Sequence, residues 1–103
     1  MVHADAFDDG LAAYQRGDYA DALNFWKPLA EQGHAGAQYN LGTMYYNGLG
    51  VPQEHILGCM WFDIAAASGS ESAINSPDFF ARMTPDQIAK AQRMAREWMA
   101  EHQ

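Results

Sequence analysis

Apolar side chains recur along this chain at spacings of three and four, the pattern of helices that bury one side. Ala6, Phe7, Gly10, Leu11 and Tyr14 mark the inner side of a helix over 5–16. Gly17-Asp18 ends it, and Asp18 is placed to cap the second helix. Over 19–32 the inner side is Ala22, Leu23, Phe25, Trp26, Leu29 and Ala30. Pro28 lies inside this run, lacks an amide donor and crowds the carbonyl of Asn24, so a bend is expected. A third helix over 35–46 turns Ala37, Leu41, Met44 and Tyr45 inward, and a fourth over 54–68 turns Leu57, Met60, Trp61, Ile64 and Ala65 inward. From Glu71 the pattern restarts, but Asn75-Ser76-Pro77 interrupts it. A short helix, a break at Pro77 and a turn through Phe79-Phe80 are expected there. Thr84-Pro85-Asp86-Gln87 then offers a cap, a proline fit for the first helical position and a glutamine to close a capping box. The last helix reaches Ala100, with Ile88, Ala91, Met94, Ala95, Trp98 and Met99 as its stripe.

Two of these segments carry one phrase. Phe25-Trp26, Leu29-Ala30 and Gly33 recur thirty-six positions later as Trp61-Phe62, Ala65-Ala66 and Gly69, and Ala37 recurs as Ala73. Gly10 and Gly42 share a place in the first and third helices at an offset of thirty-two, so the second hairpin carries a turn four residues longer. That turn holds Gly48, Gly50 and Val51-Pro52, where the glycines admit positive φ and Pro52 keeps Val51 extended. Gly33 and Gly69 close their helices in a geometry that glycine adopts cheaply. A mid-helix glycine costs about 0.8–1 kcal/mol relative to alanine, which a close approach by a neighbouring backbone would justify at Gly10 and Gly42. A helical repeat of this length predicts an all-α chain folded as an alpha-alpha superhelix, with the final stripe covering the open end.

At 103 residues the chain holds one domain's worth of core. Six basic against thirteen acidic side chains give a net charge of -7, which disfavours nucleic acid and anionic membranes as partners. Asp5, Asp8, Asp9, Asp18 and Asp21 crowd the N-terminal part against Arg16 alone; a basic partner would favour that face, and a solvated acidic surface is the plainer reading. The lone Cys59 excludes an internal disulfide, and no apolar run approaches the length of a membrane span. Met1-Val2-His3-Ala4-Asp5 reads as a start joined to a mature N-terminus. Export to the periplasm or beyond, with a leader removed, is expected ahead of cytoplasmic residence.

Candidate chemistry is sparse. His3, His34, His55 and His102 are scattered, and Cys59 has no spaced partner for a metal site. His55 and Cys59 share a helical face but lack a nucleophile turn and a third orienting group, so Cys59 reads as an ordinary half-buried thiol. Asp5, Asp8 and Asp9 are acids where a helix start favours them. Gly48-Leu49-Gly50 lacks the lysine and hydroxyl of a phosphate loop. Trp26, Trp61, Phe62 and Trp98 occupy packing positions. No catalytic residue, metal or cofactor is expected.

The run Ala37-Gln38-Tyr39-Asn40-Leu41-Gly42-Thr43-Met44-Tyr45-Tyr46-Asn47-Gly48-Leu49-Gly50-Val51, followed by Trp61-Phe62 and Ala65-Ala66, resembles the Sel1-like repeat, a relative of the tetratricopeptide repeat with a longer turn. The resemblance divides the chain into a degenerate tetratricopeptide-like hairpin over 5–33, a full repeat over 35–69 and a C-terminal cap over 71–102. It implies structural roles for Gly10, Gly33, Leu41, Gly42, Tyr45, Gly48, Gly50, Trp61, Ala65, Ala66, Gly69 and Trp98. Gly58 stands where the family usually has alanine, which should loosen the fourth helix, and His55-Ile56 replaces a more usual polar or aromatic pair. Members serve as adaptors and scaffolds in bacteria, so the resemblance implies a protein partner bound on the inner face, lined by the first helix of each hairpin. The candidates there are Tyr14, Gln15, Gln38, Tyr39, Thr43, Tyr46 and Asn47, with some of the tyrosines facing inward instead. Self-association as a homodimer is the alternative.

Overall fold

The computed structural model describes residues 5–75 and 80–102. They form six helices in chain order: α1 (Ala6–Gln15), α2 (Tyr19–Glu31), α3 (Ala35–Asn47), α4 (His55–Ala67), α5 (Glu71–Ile74) and α6 (Pro85–Glu101). The expected break at Pro77 and the Phe79 half of the adjoining turn lie outside the described residues. Four starts are closed by side chains. Asp5 accepts from the Asp8 amide at 2.8 Å, His34 Nδ1 from the Ala37 amide at 3.1 Å and Ser70 from the Ala73 amide at 3.2 Å. Thr84 and Gln87 form the reciprocal capping box, at 3.2 and 3.0 Å. Asp18 departs from expectation: it stands at the start of α2 without capping it, because its carboxylate pairs instead with Arg16 Nε at 3.1 Å. α2 continues as helix through Pro28 to Glu31. Gly33 and Gly69 come just after helix ends with φ of 96° and 97°, and Gly48 ends α3 at 71°.

Helices α1 with α2 and α3 with α4 pack as hairpins, α2 lies on α3, and α6 covers α4. The result is elongated, 48 × 29 × 22 Å. One core cluster runs through both hairpins, centred on Trp26, Leu41, Met44 and Ile64 and reaching Ala95 of α6. A second joins Tyr46, Cys59 and Phe62 to Met83 and Ala91 at the cap. Trp61 and Trp98 meet edge to face at 5.2 Å, which fastens α6 to α4.

The glycines sit where helices cross most closely. A Cβ on Gly10 would enter the indole of Trp26. A Cβ on Gly42 would come within 2.8 Å of the Phe62 ring and 2.9 Å of the Gly58 carbonyl. Gly58 faces the reciprocal contact, 2.9 Å to the Gly42 carbonyl and to the Tyr46 amide nitrogen. The methyl that Gly58 lacks lets the backbones of α3 and α4 touch, a packing role separate from its expected effect on the helix itself. Phe25 also differs from expectation. It is 38% exposed, one position off the stripe of Ala22, Trp26, Leu29 and Ala30 that meets α1 and α3.

The long turn 48–54 is tied down rather than loose. The Leu49 amide donates to Met44 O at 2.9 Å, the Glu54 amide to Tyr45 O at 2.8 Å and Gln53 Nε2 to Tyr46 O at 3.1 Å. Gly50, at φ 74°, lets the turn reach back against the first hairpin, where any Cβ would lie 2.9 Å from Tyr19 Cβ.

Candidate protein-binding groove

Helices α1 and α3 flank a groove of about 220 Å³ lined by Leu11, Tyr14, Trp26, Tyr39, Asn40 and Thr43. The spacing of Leu11 with Tyr14, and of Tyr39 and Asn40 with Thr43, places each set on one side of its helix. Trp26 forms the floor. It is 1% exposed, and its Nε1 donates to Phe7 O at 3.2 Å. The rings above it are held by one another. Tyr14 lies 5.8 Å from Trp26 and edge-on to Tyr19 at 5.2 Å, while Tyr39 rests on Phe62 at 5.6 Å. Thr43 Oγ1 donates to Tyr39 O at 3.2 Å, which fixes its rotamer and leaves the hydroxyl oxygen able to accept. The lining offers aromatic faces, one carboxamide and the hydroxyls of Tyr14, Tyr39 and Thr43 on rigid helices, side chains that lose little entropy when they are held against another surface.

Of the seven residues expected on the inner face, Tyr14, Tyr39 and Thr43 come together in this groove. Gln15 and Asn47 are exposed but lie outside its lining. Gln38 and Tyr46 belong to the interior, which corrects the expectation for both. Gln38 is fully buried, with Nε2 donating to Ala30 O at 2.9 Å. Tyr46 is 6% exposed, its ring 4.6 Å from His55 and 6.1 Å from Phe62. The reason is that α3 packs against α2 on one side and α4 on the other, so most of its circumference is covered. Sequence reasoning missed Asn40, although its spacing of three from Thr43 was a usable signal.

The remaining chemistry is structural. Cys59 is fully buried, not half-buried, and its thiol meets Met83 Sδ at 2.9 Å. Burial first, and the charge of Asp63 second, push its pKa up to about 12, far from a nucleophilic thiolate. Asp63 is half-buried, its Oδ2 has no hydrogen-bond partner among the described residues, and burial raises its pKa to about 6. Among the described residues no group of three or more His, Cys, Asp or Glu could hold a metal ion, and no helix is long and apolar enough to cross a membrane.

Comparison with known proteins agrees with this architecture. The "Exopolysaccharide production negative regulator" of Rhizobium leguminosarum bv. viciae is 32% identical over 76 residues, covering 74% of this chain and 28% of that protein. Among solved structures, c5321, a protective antigen present in uropathogenic Escherichia coli strains and displaying an SLR fold, superposes with a TM-score of 0.80 at 26% identity, over 94% of this chain and 22% of that one. The chain thus spans under a third of the length of each. The profile of the Sel1 repeat family matches residues 4–34 and again residues 35–70, one match for each hairpin. With both hairpins matched and the superhelical geometry in place, this chain belongs to the Sel1 repeat family.

Proposed function

We propose that the groove between α1 and α3 holds an extended segment of a partner protein, in keeping with the adaptor role typical of Sel1 repeats. The observation that carries this reading is the joining of Tyr14, Tyr39, Asn40 and Thr43 from two separate helices into one pre-formed lining with an indole floor. Aromatic and amide side chains in a fixed concave surface are the usual anchors of protein recognition. The groove's aromatic rings, carboxamide and hydroxyls are groups suited to recognition. Phe25 and Ile74, 38% and 59% exposed, are single apolar side chains on different helices, as monomers ordinarily carry. The binding function therefore sits in the groove rather than in self-association.

A photo-crosslinking residue at Thr43, compared with one at the exposed Asn24 on α2, tests the reading in cells of the source organism. The groove position should yield discrete adducts that disappear with Tyr39→Ala in a protein of unchanged helicity. Adducts of the same identity and yield from both positions would refute it.

A further inference from the structure

The first hairpin turns through residues 16–18, whereas the second turns through 48–54. The longer turn reaches back to the start of α2, beside the groove's α1 wall. Building on the groove as the binding surface, we propose that Gly50 is a positioning residue for it: through Tyr19, the turn of the second hairpin holds Tyr14 of the first in its place in the lining.

Gly50 lies against the backbone where α2 begins. A Cβ on it would come within 2.9 Å of Tyr19 Cβ, 3.0 Å of the Tyr19 carbonyl carbon and 3.1 Å of the Ala20 amide nitrogen. Two of these atoms are main chain and the third is fixed to it, so the neighbour cannot swing aside as the end of a long side chain would. The turn is held from its own side by the bonds from the Leu49 and Glu54 amides and from Gln53 Nε2 to the last carbonyls of α3. Leu49 also packs on the core that contains Trp26. The adjoining cleft of about 370 Å³ is lined by residues 17–21 of the first hairpin, with Gly50 as the second hairpin's member among the described residues.

Tyr19 carries the contact on to the groove. Its ring meets Tyr14 edge-on at 5.2 Å, and Tyr14 lies 5.8 Å from the Trp26 floor. Across the groove Tyr39 has a different support, Phe62 of α4 at 5.6 Å. The two walls therefore answer to different parts of the second hairpin, Tyr39 to the body of α4 and Tyr14 to the turn. A lining shaped by fixed rings keeps its complementarity only while those rings are held in place by the contacts around them.

Gly50→Asn in the whole chain tests this, because asparagine tolerates positive φ and the variant adds a side chain at the contact. Gly33→Asn is the control. Gly33 has φ 96° and a Cβ on it meets nothing within 4 Å, so the change carries backbone strain without the contact. The ring protons of Tyr14 and Tyr39 are followed by NMR. Gly50→Asn should shift the Tyr14 signals and leave those of Tyr39 in place, and Gly33→Asn should move neither. Gln53→Ala, a milder change that frees the turn, should shift Tyr14 in the same way and decides the matter if Gly50→Asn does not fold. Tyr19→Leu keeps the Cβ that Gly50 touches and removes the relaying ring. It should displace Tyr14, and adding Gln53→Ala to it should displace Tyr14 no further, the non-additivity of residues that act through one contact. In cells, the yield of adducts at the Thr43 photo-crosslinker should fall at least about two-fold with Gln53→Ala or Tyr19→Leu. A Tyr14 unmoved by loosening the turn, an equal displacement by Gly33→Asn, additive shifts in the double variant, or full adduct yield while Tyr14 is displaced would each overturn the positioning role. Failure of Thr43 to give groove-specific adducts even in the unaltered chain would instead refute the groove as the binding surface, and the Tyr14 shifts would still decide whether the turn holds that ring.

Discussion

Trp26 and Phe62 stand thirty-six residues apart and fill the same notch, one against Gly10 and the other against Gly42. Around them the two hairpins part. In the second, Gly58 lets α4 touch the backbone of α3, and α6 lies over α4, so that Trp61 is 6% exposed. In the first, the position matching Gly58 is Ala22, and among the described residues no helix covers the outer side of α2. Phe25, the counterpart of Trp61, is accordingly 38% exposed. One repeat phrase thus encodes the interior notch but not the fate of its neighbour, which depends on what the chain stacks next.

Truncating the counterparts probes this difference at its widest. Trp61→Ala should lower stability by about 3–5 kcal/mol, as expected for a buried aromatic, and Phe25→Ala by less than about 1 kcal/mol, read from chemical denaturation. Similar losses would erase the distinction between the hairpins. Next in size come the crossing glycines. Gly58→Ala restores the residue common in the family and adds helix propensity, yet should destabilise by about 1–3 kcal/mol, because the methyl meets backbone that cannot yield. A melting temperature raised by Gly58→Ala would show that α3 and α4 cross less tightly than described.

Asp63, on the covered second hairpin, gives a smaller effect with a definite sign. Its folded pKa of about 6 lies above the unfolded 3.8, so the folded chain holds the proton more tightly. Its contribution to stability is greatest below the unfolded value and is lost as pH rises to about 6 and beyond. Asp63→Asn should therefore stabilise the protein at pH 7 by about 1 kcal/mol, a figure discounted for the solvent still reaching the half-buried carboxylate, and should change little near pH 3. The buried Cys59 in the same hairpin should resist alkylation in the native state and react only on unfolding, measurable by a colorimetric thiol assay.

Much of the fold was legible because its signals are local. Thr84 to Gln87 announces a helix start, and Gly33 and Gly69 announce helix ends, through chemistry that acts within a few residues. The groove was only partly legible. Tyr14, Tyr39 and Thr43 showed in the pattern, but Gln38 and Tyr46 were misplaced because α3 is covered by α2 and α4, and a helix buried on two sides carries no clear polar face. His34 as the cap of α3 was not anticipated, since its ring nitrogen takes the place that a shorter polar side chain usually fills.

The proposed recognition surface is the groove between the hairpins, not the outer aromatic surface. The most direct measurement is the affinity of the partner captured at Thr43 for Tyr39→Ala and for Phe25→Ala, each confirmed folded by circular dichroism. The expected result is a loss of about ten-fold or more for Tyr39→Ala and less than about two-fold for Phe25→Ala, in line with anchors concentrated at the centre of a contact. Binding unchanged by Tyr39→Ala but weakened by Phe25→Ala would contradict it.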